Sequence, residues 1–278
     1  MLFMRPIKKV LQDGRGAVFV PLLFRYSVSI SGIPLNEFAK SSGRAVSLYR
    51  SFKLLGYDGV VVEVDVSPAR VASGELGRRE MSIEEICSAE PVNIAIETAS
   101  RLARMVRDDG DTLCVIHGPR YIAGEASLNV HDIYTCVDNL SLLERLYLDA
   151  GCTGVLLMEK NVKEHDLDAL EILTRIARLY DVATCLFSAS PLEGETAMEA
   201  QSRGFDFVGI PRRPESAKVN PCIALELESN TVSQELNAVQ RLMEEKPVLL
   251  ITRSEVVGDV RPQEIQKIAN SVKAGRNK

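Results

Sequence analysis

The chain has 278 residues, of which 46% are apolar and 26% charged, and its 33 basic against 38 acidic side chains leave a net charge of −5. That balance is ordinary for a globular protein and excludes a basic nucleic-acid-binding domain; with no tryptophan and only 5% aromatics there is no stacking platform for bases either. The first residues carry no apolar signal core, and no apolar run approaches the ~18 residues of a membrane span, so a cytoplasmic protein with neither a membrane nor a nucleic-acid partner is expected.

The basic stretch Met1 to Gly16 predicts a short helix or arm. Ala17 to Phe24 (AVFVPLLF) is an apolar run that predicts a first strand with Arg25 at its end. A Gly/Pro-marked connection, Ser31-Gly32-Ile33-Pro34, follows. Apolar positions at Ala45, Leu48, Tyr49, Phe52 and Leu55 predict a helix that Gly56 stops, and Gly59 to Val64 predicts a second strand delivering Asp65. Strand, crossover helix and strand make a right-handed βαβ unit with a parallel sheet. Val66 to Ile83, with Pro68, Gly74 and Gly77, predicts a long loop on the carboxyl side of the second strand.

The rhythm then repeats. Helix is expected over Asn93 to Val106, strand over Thr112 to Ile116, helix over His131 to Ala150, and strand over Gly154 to Met158. Helix over Asp166 to Tyr180 leads to strand over Ala183 to Phe187, and helix over Thr196 to Arg203 to strand over Phe205 to Ile210. Pro211 to Pro221 holds too much proline for a full crossover helix. Strands at Cys222 to Leu227 and Val248 to Thr252, with helices at Ser233 to Glu245 and Pro262 to Lys273, complete the chain. Eight strands alternating with helices predict an α/β fold: one domain over residues 1–278, a (β/α)8 TIM barrel with an abbreviated crossover between strands six and seven. An open doubly wound sheet is disfavoured because no glycine-rich phosphate loop follows the first strand.

In a parallel barrel the chemistry sits beyond the carboxyl ends of the strands, which singles out the residues that end them. Glu63 and Asp65 lie two apart on one strand, so both face the same way, and one carboxylate would raise the pKa of the other. That suits proton exchange or a cationic or N–H-rich ligand; a pair salt-bridged to neighbouring Arg or Lys is the alternative. Arg25 at an apolar strand end calls for an anionic partner, either a substrate carboxylate or Asp65. His117, ending strand three, is suited to acid–base work, to metal ligation or to hydrogen bonding at the rim. Arg120 and Arg253 would add positive charge at the same mouth and favour an anionic substrate. The six cysteines, Cys87, Cys114, Cys136, Cys152, Cys185 and Cys222, form no CxxC pair and read as reduced thiols in a core.

An ordered series of motifs resembles the uroporphyrinogen decarboxylase superfamily. It runs from Val20-Pro21 through Phe24-Arg25 and Ser31-Gly32-Ile33-Pro34-Leu35-Asn36 to Leu55-Gly56-Tyr57-Asp58-Gly59, Asp65 and Gly74-Glu75-Leu76-Gly77. It resumes at His117-Gly118-Pro119, Asp149-Ala150-Gly151-Cys152-Thr153-Gly154 and Asp259-Val260-Arg261-Pro262. The branch it is most similar to is that of the methylcobamide:coenzyme M methyltransferases. The resemblance implies a (β/α)8 barrel enzyme, a corrinoid (methylcobalamin or a corrinoid protein) as methyl carrier, a small substrate, and a homodimer as one expected assembly. It places an acidic residue after strand four, here Glu159, as a base or ligand. It places the decarboxylase branch's substrate arginine and pyrrole-binding aspartate at Arg25 and Asp65. That branch's second N-terminal-loop arginine and late histidine have no counterpart here. The methyltransferase branch holds zinc through His-x-Cys at the end of strand five and a cysteine after strand eight. Ala183-Thr184-Cys185 and Ser254-Glu255 keep only Cys185 of that set, and about three protein ligands are needed for such a site. A metal-free decarboxylase of a tetrapyrrole or polycarboxylate, and a non-catalytic barrel binding a corrinoid, tetrapyrrole or partner protein, stand as alternatives.

Overall fold

The computed structural model describes residues 4–62, 79–126, 133–190, 192, 194–209, 218–227, 232–253, 255–256 and 260–276. Eight short, buried strands carry the fold: β1 (Gly16–Phe19), β2 (Gly59–Val62), β3 (Asp111–His117), β4 (Gly154–Glu159), β5 (Ala183–Ser188), β6 (Phe207–Gly209), β7 (Pro221–Leu225) and β8 (Pro247–Thr252). All seven recorded pairings are parallel, in the order β1-β8-β7-β6-β5-β4-β3-β2. With helices between the strands this is a single (β/α)8 TIM barrel. Among the described residues no helix is long and apolar enough to cross a membrane.

Strand alternation sorts the core into two bodies. Val18, Val61, Leu113, Val115, Leu156, Cys185, Phe207, Cys222, Leu249 and Ile251 meet in one cluster, the barrel lumen. Their neighbours one residue along, such as Phe19, Val62, Cys114, Ile116, Val155, Leu157 and Leu250, join the larger cluster beneath the helices. Because both faces of each strand are buried, the strands read in sequence as continuous apolar runs rather than alternating ones.

The helices follow local chemistry. α1 (Pro6–Asp13) has proline in its first turn, where the missing N–H costs nothing. It sends Ile7 and Val10 into the lumen cluster and so plugs the amino-terminal end of the barrel. α2 (Phe24–Ser31), α3 (Leu35–Phe38) and α4 (Ser41–Leu55) follow β1. α4 ends at Gly56, whose φ of 70° is a left-handed conformation that glycine adopts without strain. α5 (Ile83–Ser88) opens with a capping box: Ser82 Oγ accepts the Glu85 N–H at 3.2 Å, and Glu85 Oε2 accepts the Ser82 N–H at 2.8 Å. α6 (Glu90–Val106), α7 (Pro119–Ala126), α8 (Ile133–Asp149), α9 (Glu164–Leu179), α10 (Gly194–Ser202), α11 (Val232–Glu245) and α12 (Pro262–Arg276) complete the outer layer.

The first strand departs from expectation. Its ladder ends at Phe19, with one further bond from the Val20 N–H to the Leu250 carbonyl, and Phe24 begins a helix. Pro21 has no N–H to continue the ladder, and an apolar run alone does not distinguish a buried strand from a buried helix. The abbreviated crossover falls between Gly209 and Pro221; its residues 210–217 lie outside the described set.

Among the described residues no ladder joins β1 to β2, and Asp58 bridges the seam. Its N–H donates to the Phe19 carbonyl and its Oδ2 accepts the Phe19 N–H, both at 2.9 Å. Arg276 Nη2 at the end of α12 donates to Asp58 Oδ1 at 2.5 Å. Next to it, Asp111 Oδ2 accepts the Ile7 N–H at 2.9 Å and Oδ1 accepts Thr153 Oγ1 at 2.8 Å. Burial pushes the Asp111 carboxyl up to about 6 against the pull of those donors. These buried polar groups at the strands' amino-terminal ends hold the barrel closed and dock α1.

Candidate active site

The carboxyl-end mouth is built from residues that register places side by side. His117, Met158 and Phe187 form one row across β3, β4 and β5. Alternation from Leu113 and Val115 turns His117 toward the lumen, as it does Met158 and Phe187. Gly118 and Pro119 follow, and a proline at the first helical position starts α7 at once. Tyr121 therefore falls in the first turn, directly over the strand end. Its ring stacks on the His117 imidazole with centroids 4.3 Å apart and planes 29° apart. Lys160, one residue past β4, holds its Nζ 5.8 Å from the Tyr121 ring centroid. His117 is 9% exposed, so an imidazole of limited water access faces the mouth beside a phenol and an ammonium. That set can exchange a proton with a substrate and hold negative charge near it.

Glu159 is adjacent in sequence and points the other way. Its carboxylate lies on the helix side of β4, where Oε2 accepts the Tyr121 N–H at 2.8 Å and Oε1 the Arg120 N–H at 3.3 Å. Burial is the main effect on it and pushes the carboxyl up to about 7, although the backbone N–H groups of Arg120, Tyr121 and Lys160 pull it down.

The arginines expected at the rim are engaged with the protein. Arg120 forms a two-pronged pair with Asp166 of α9, Nε to Oδ2 at 2.5 Å and Nη2 to Oδ1 at 2.8 Å, and lies 3.1 Å from His165 Nε2. Arg25 lies on α2 rather than at a strand end; its side chain is 80% exposed and pairs with Glu255, which also accepts the Arg25 backbone N–H. Arg253 does follow β8, and its Nη1 donates to Glu226 Oε1 at 2.5 Å on the β7–β8 side of the rim. Glu63 and Asp65 lie outside the described residues.

Cys185 sits one row below the mouth, in register with Leu156 and Phe207. Burial, and then the Cys222 sulfur beside it, pushes its thiol well above the ordinary range. Among the described residues no three His, Cys, Asp or Glu side chains converge as a metal ion requires. Cys185 with Cys222 beside it falls short of the about three protein ligands that a zinc-thiolate centre needs.

Of the expected site, then, the structure brings His117 to the lumen side of the mouth and Arg253 to its opposite rim, and turns Glu159 and Arg120 toward α7 and α9. Tyr121 and Lys160 were not singled out by sequence as site residues. The Gly118-Pro119 helix start was the available signal, since it fixes residue 121 above the strand that ends at His117. On the opposite, amino-terminal face, Lys9, Arg15, Gln240 and Ser271 help line a cleft of about 770 Å³ between α1, α11 and α12, far from the strand ends where barrel chemistry is placed.

No protein-family model matches the chain, and no curated protein matches it. Solved structures do. The homocysteine methyltransferase MmuM from Escherichia coli, in its metallated form, superposes with a TM-score of 0.64 at 10% identity, over 95% of this chain and 98% of that one. The ribulose-1,5-bisphosphate carboxylase/oxygenase of Pyrococcus horikoshii OT3 gives 0.51 at 12% identity, over 98% of this chain and 62% of that one. A dihydrodipicolinate synthase from Agrobacterium tumefaciens str. C58 gives 0.51 at 11% identity, over 96% and 78%. At these identities the likeness is one of fold, and the fold is the TIM barrel.

Proposed function

We propose that this chain is an enzyme of the uroporphyrinogen decarboxylase-like kind that moves a methyl group to or from a small substrate at the carboxyl-end mouth of the barrel. A methylcorrinoid, free or protein-bound, is the methyl donor substrate in this reading. The observation that carries it is the end-to-end likeness to a methyltransferase barrel, covering 95% of this chain. The ordered motif series read from the sequence supports the same assignment. His117 takes or gives the proton that the substrate exchanges on methylation, with Asp65 as the second acid–base group. Lys160 offers positive charge to an anionic substrate from one side of the rim, while Arg253 on the other is paired with Glu226. Arg120, committed to Asp166, and Glu159, committed to backbone amides, hold the mouth together rather than face the substrate. Small-molecule chemistry without nucleic acid agrees with the net charge of −5.

The test is incubation with methylcobalamin and a thiol acceptor, homocysteine or coenzyme M, following loss of the methylcorrinoid spectrum and the methylated thiol by mass. Turnover that falls at least tenfold in His117→Asn is expected. No methylated product with any thiol or folate acceptor would overturn the reading. Metal-free decarboxylation of a tetrapyrrole or polycarboxylate is the second reading. It predicts release of carbon dioxide from a porphyrinogen or smaller polycarboxylate, and it fails if the carboxylates survive incubation intact.

A further inference from the structure

Glu159 closes β4 with a carboxylate that reaches outward, onto the start of the helix that follows the neighbouring strand. Both of its oxygens are occupied by backbone: Oε2 takes the Tyr121 N–H at 2.8 Å and Oε1 the Arg120 N–H at 3.3 Å. Gly118 makes room for this. A Cβ on Gly118 would fall well inside contact distance of the Glu159 carboxylate, so the turn and the acid fit only because that residue has no side chain. The two amides it holds belong to residues that organise the rim. Tyr121 stacks on His117, and Arg120 reaches over to Asp166 on α9.

We propose that Glu159 is a positioning residue of the mouth: its carboxylate pins the first turn of α7 and thereby holds the Tyr121 ring against the His117 imidazole, without itself meeting the substrate. The functional consequence rests on the mouth being the active site, as read above; the positioning itself does not. An ionised carboxylate at a helix start accepts two N–H donors and interacts favourably with the helix dipole, whereas the neutral acid accepts less strongly. With the carboxyl raised to about 7 by burial, the pin changes charge across neutral pH. The groups facing it are Arg120 and Tyr121 on α7, Lys160 next in the chain, and Asp166 on α9, with His165 beside Asp166. From α8 the Cys136 thiol, itself pushed up to about 12 by burial and then by Glu159, faces it. From β5 its register partner is Ser188, which does not titrate.

The test is solution nuclear magnetic resonance of the full chain between pH 5.5 and 8.5, with no substrate added. The amide protons of Arg120 and Tyr121 are expected to move together, with a midpoint near 7, as Glu159 ionises. The ring-current shift that Tyr121 imposes on the His117 imidazole is expected to strengthen with the same midpoint. In Glu159→Gln the amide titration is lost and the ring-current shift on His117 is reduced at every pH. Amide signals that stay flat, or a His117 shift unchanged in Glu159→Gln, would overturn the proposal. If that variant does not fold, the wild-type titration decides alone, because the His117 ring shift must track the two amides. Methyl transfer that is absent while these titrations appear sinks the functional reading only; methyl transfer that is present while the amides stay flat sinks the positioning only.

Discussion

Replacing Glu144 with leucine is expected to stabilise this protein, and to do so more strongly as the pH rises. Glu144 sits on α8 with no exposed surface, and neither carboxyl oxygen has a hydrogen-bond partner among the described residues. Burial pushes its carboxyl from 4.5 up to about 9, with Arg145 pulling weakly the other way. The folded chain therefore holds a proton that the unfolded chain releases. Any stability linked to that proton is fully present below about 4.5, declines as pH rises, and is gone above about 9. The slope is about 1.36 kcal/mol per pH unit, so at pH 7.5 the native state has lost about 4 kcal/mol on this account. Leucine has nearly the same bulk and no charge to release, and it fills the site without an unpaired polar group. Allowing for imperfect packing, a gain of about 2–4 kcal/mol at pH 7.5 is expected, or roughly 4–8 °C in Tm for a chain of this size. Urea denaturation of wild type and Glu144→Leu at pH 5.5 and 7.5 checks it. The difference between the two proteins should widen by about 3 kcal/mol over those two units, since contributions common to both cancel. A difference that is equal at the two pH values, or a variant less stable at both, would refute the reasoning.

Four further outcomes follow from the polar contacts. Gly118→Ala forces a methyl group into the Glu159 carboxylate and is expected to cost about 1–3 kcal/mol in denaturant unfolding, with loss of the Tyr121 amide shift. Arg120→Ala leaves Asp166, at 1% exposure, with the Lys163 N–H and the His165 ring nitrogen 3.3 Å away, and is expected to cost about 3–5 kcal/mol by the same assay. Arg25→Ala removes an exposed pair with Glu255 and should change stability by less than about 1 kcal/mol, which the identical measurement would show. Asp58→Ala unties the Phe19 N–H and Arg276 at the β1–β2 seam; a loss of about 3–5 kcal/mol is expected, with faster amide exchange in β1 and α12.

What the sequence settled by itself was everything that depends on a local period. Runs such as Thr112 to Ile116 and Val248 to Thr252 are apolar on both faces, bounded by turn residues and separated by helix-length segments, and that arrangement permits only a parallel sheet wrapped by helices. Seven of the eight strands were legible to within two or three residues because an apolar run buried on both faces stands out between the turn and polar residues that bound it. The first was not, since AVFVPLLF satisfies a buried strand and a buried helix equally well, and only the missing Pro21 donor and the fit of Phe24 against Phe38 and Arg44 decide between them. Which way the terminal side chains face is a different kind of fact. His117 and Glu159 both end strands, yet one turns to the lumen and the other to α7. The outcome depends on whether the residue counts odd or even from the lumen row, and the sequence does not carry that phase when both faces are apolar. Partner choice is also nonlocal: Arg120 meets Asp166, 46 positions away, because α7 and α9 flank the same strand. Sequence spacing sets where a residue ends a strand, and closure of the cylinder decides what it can touch.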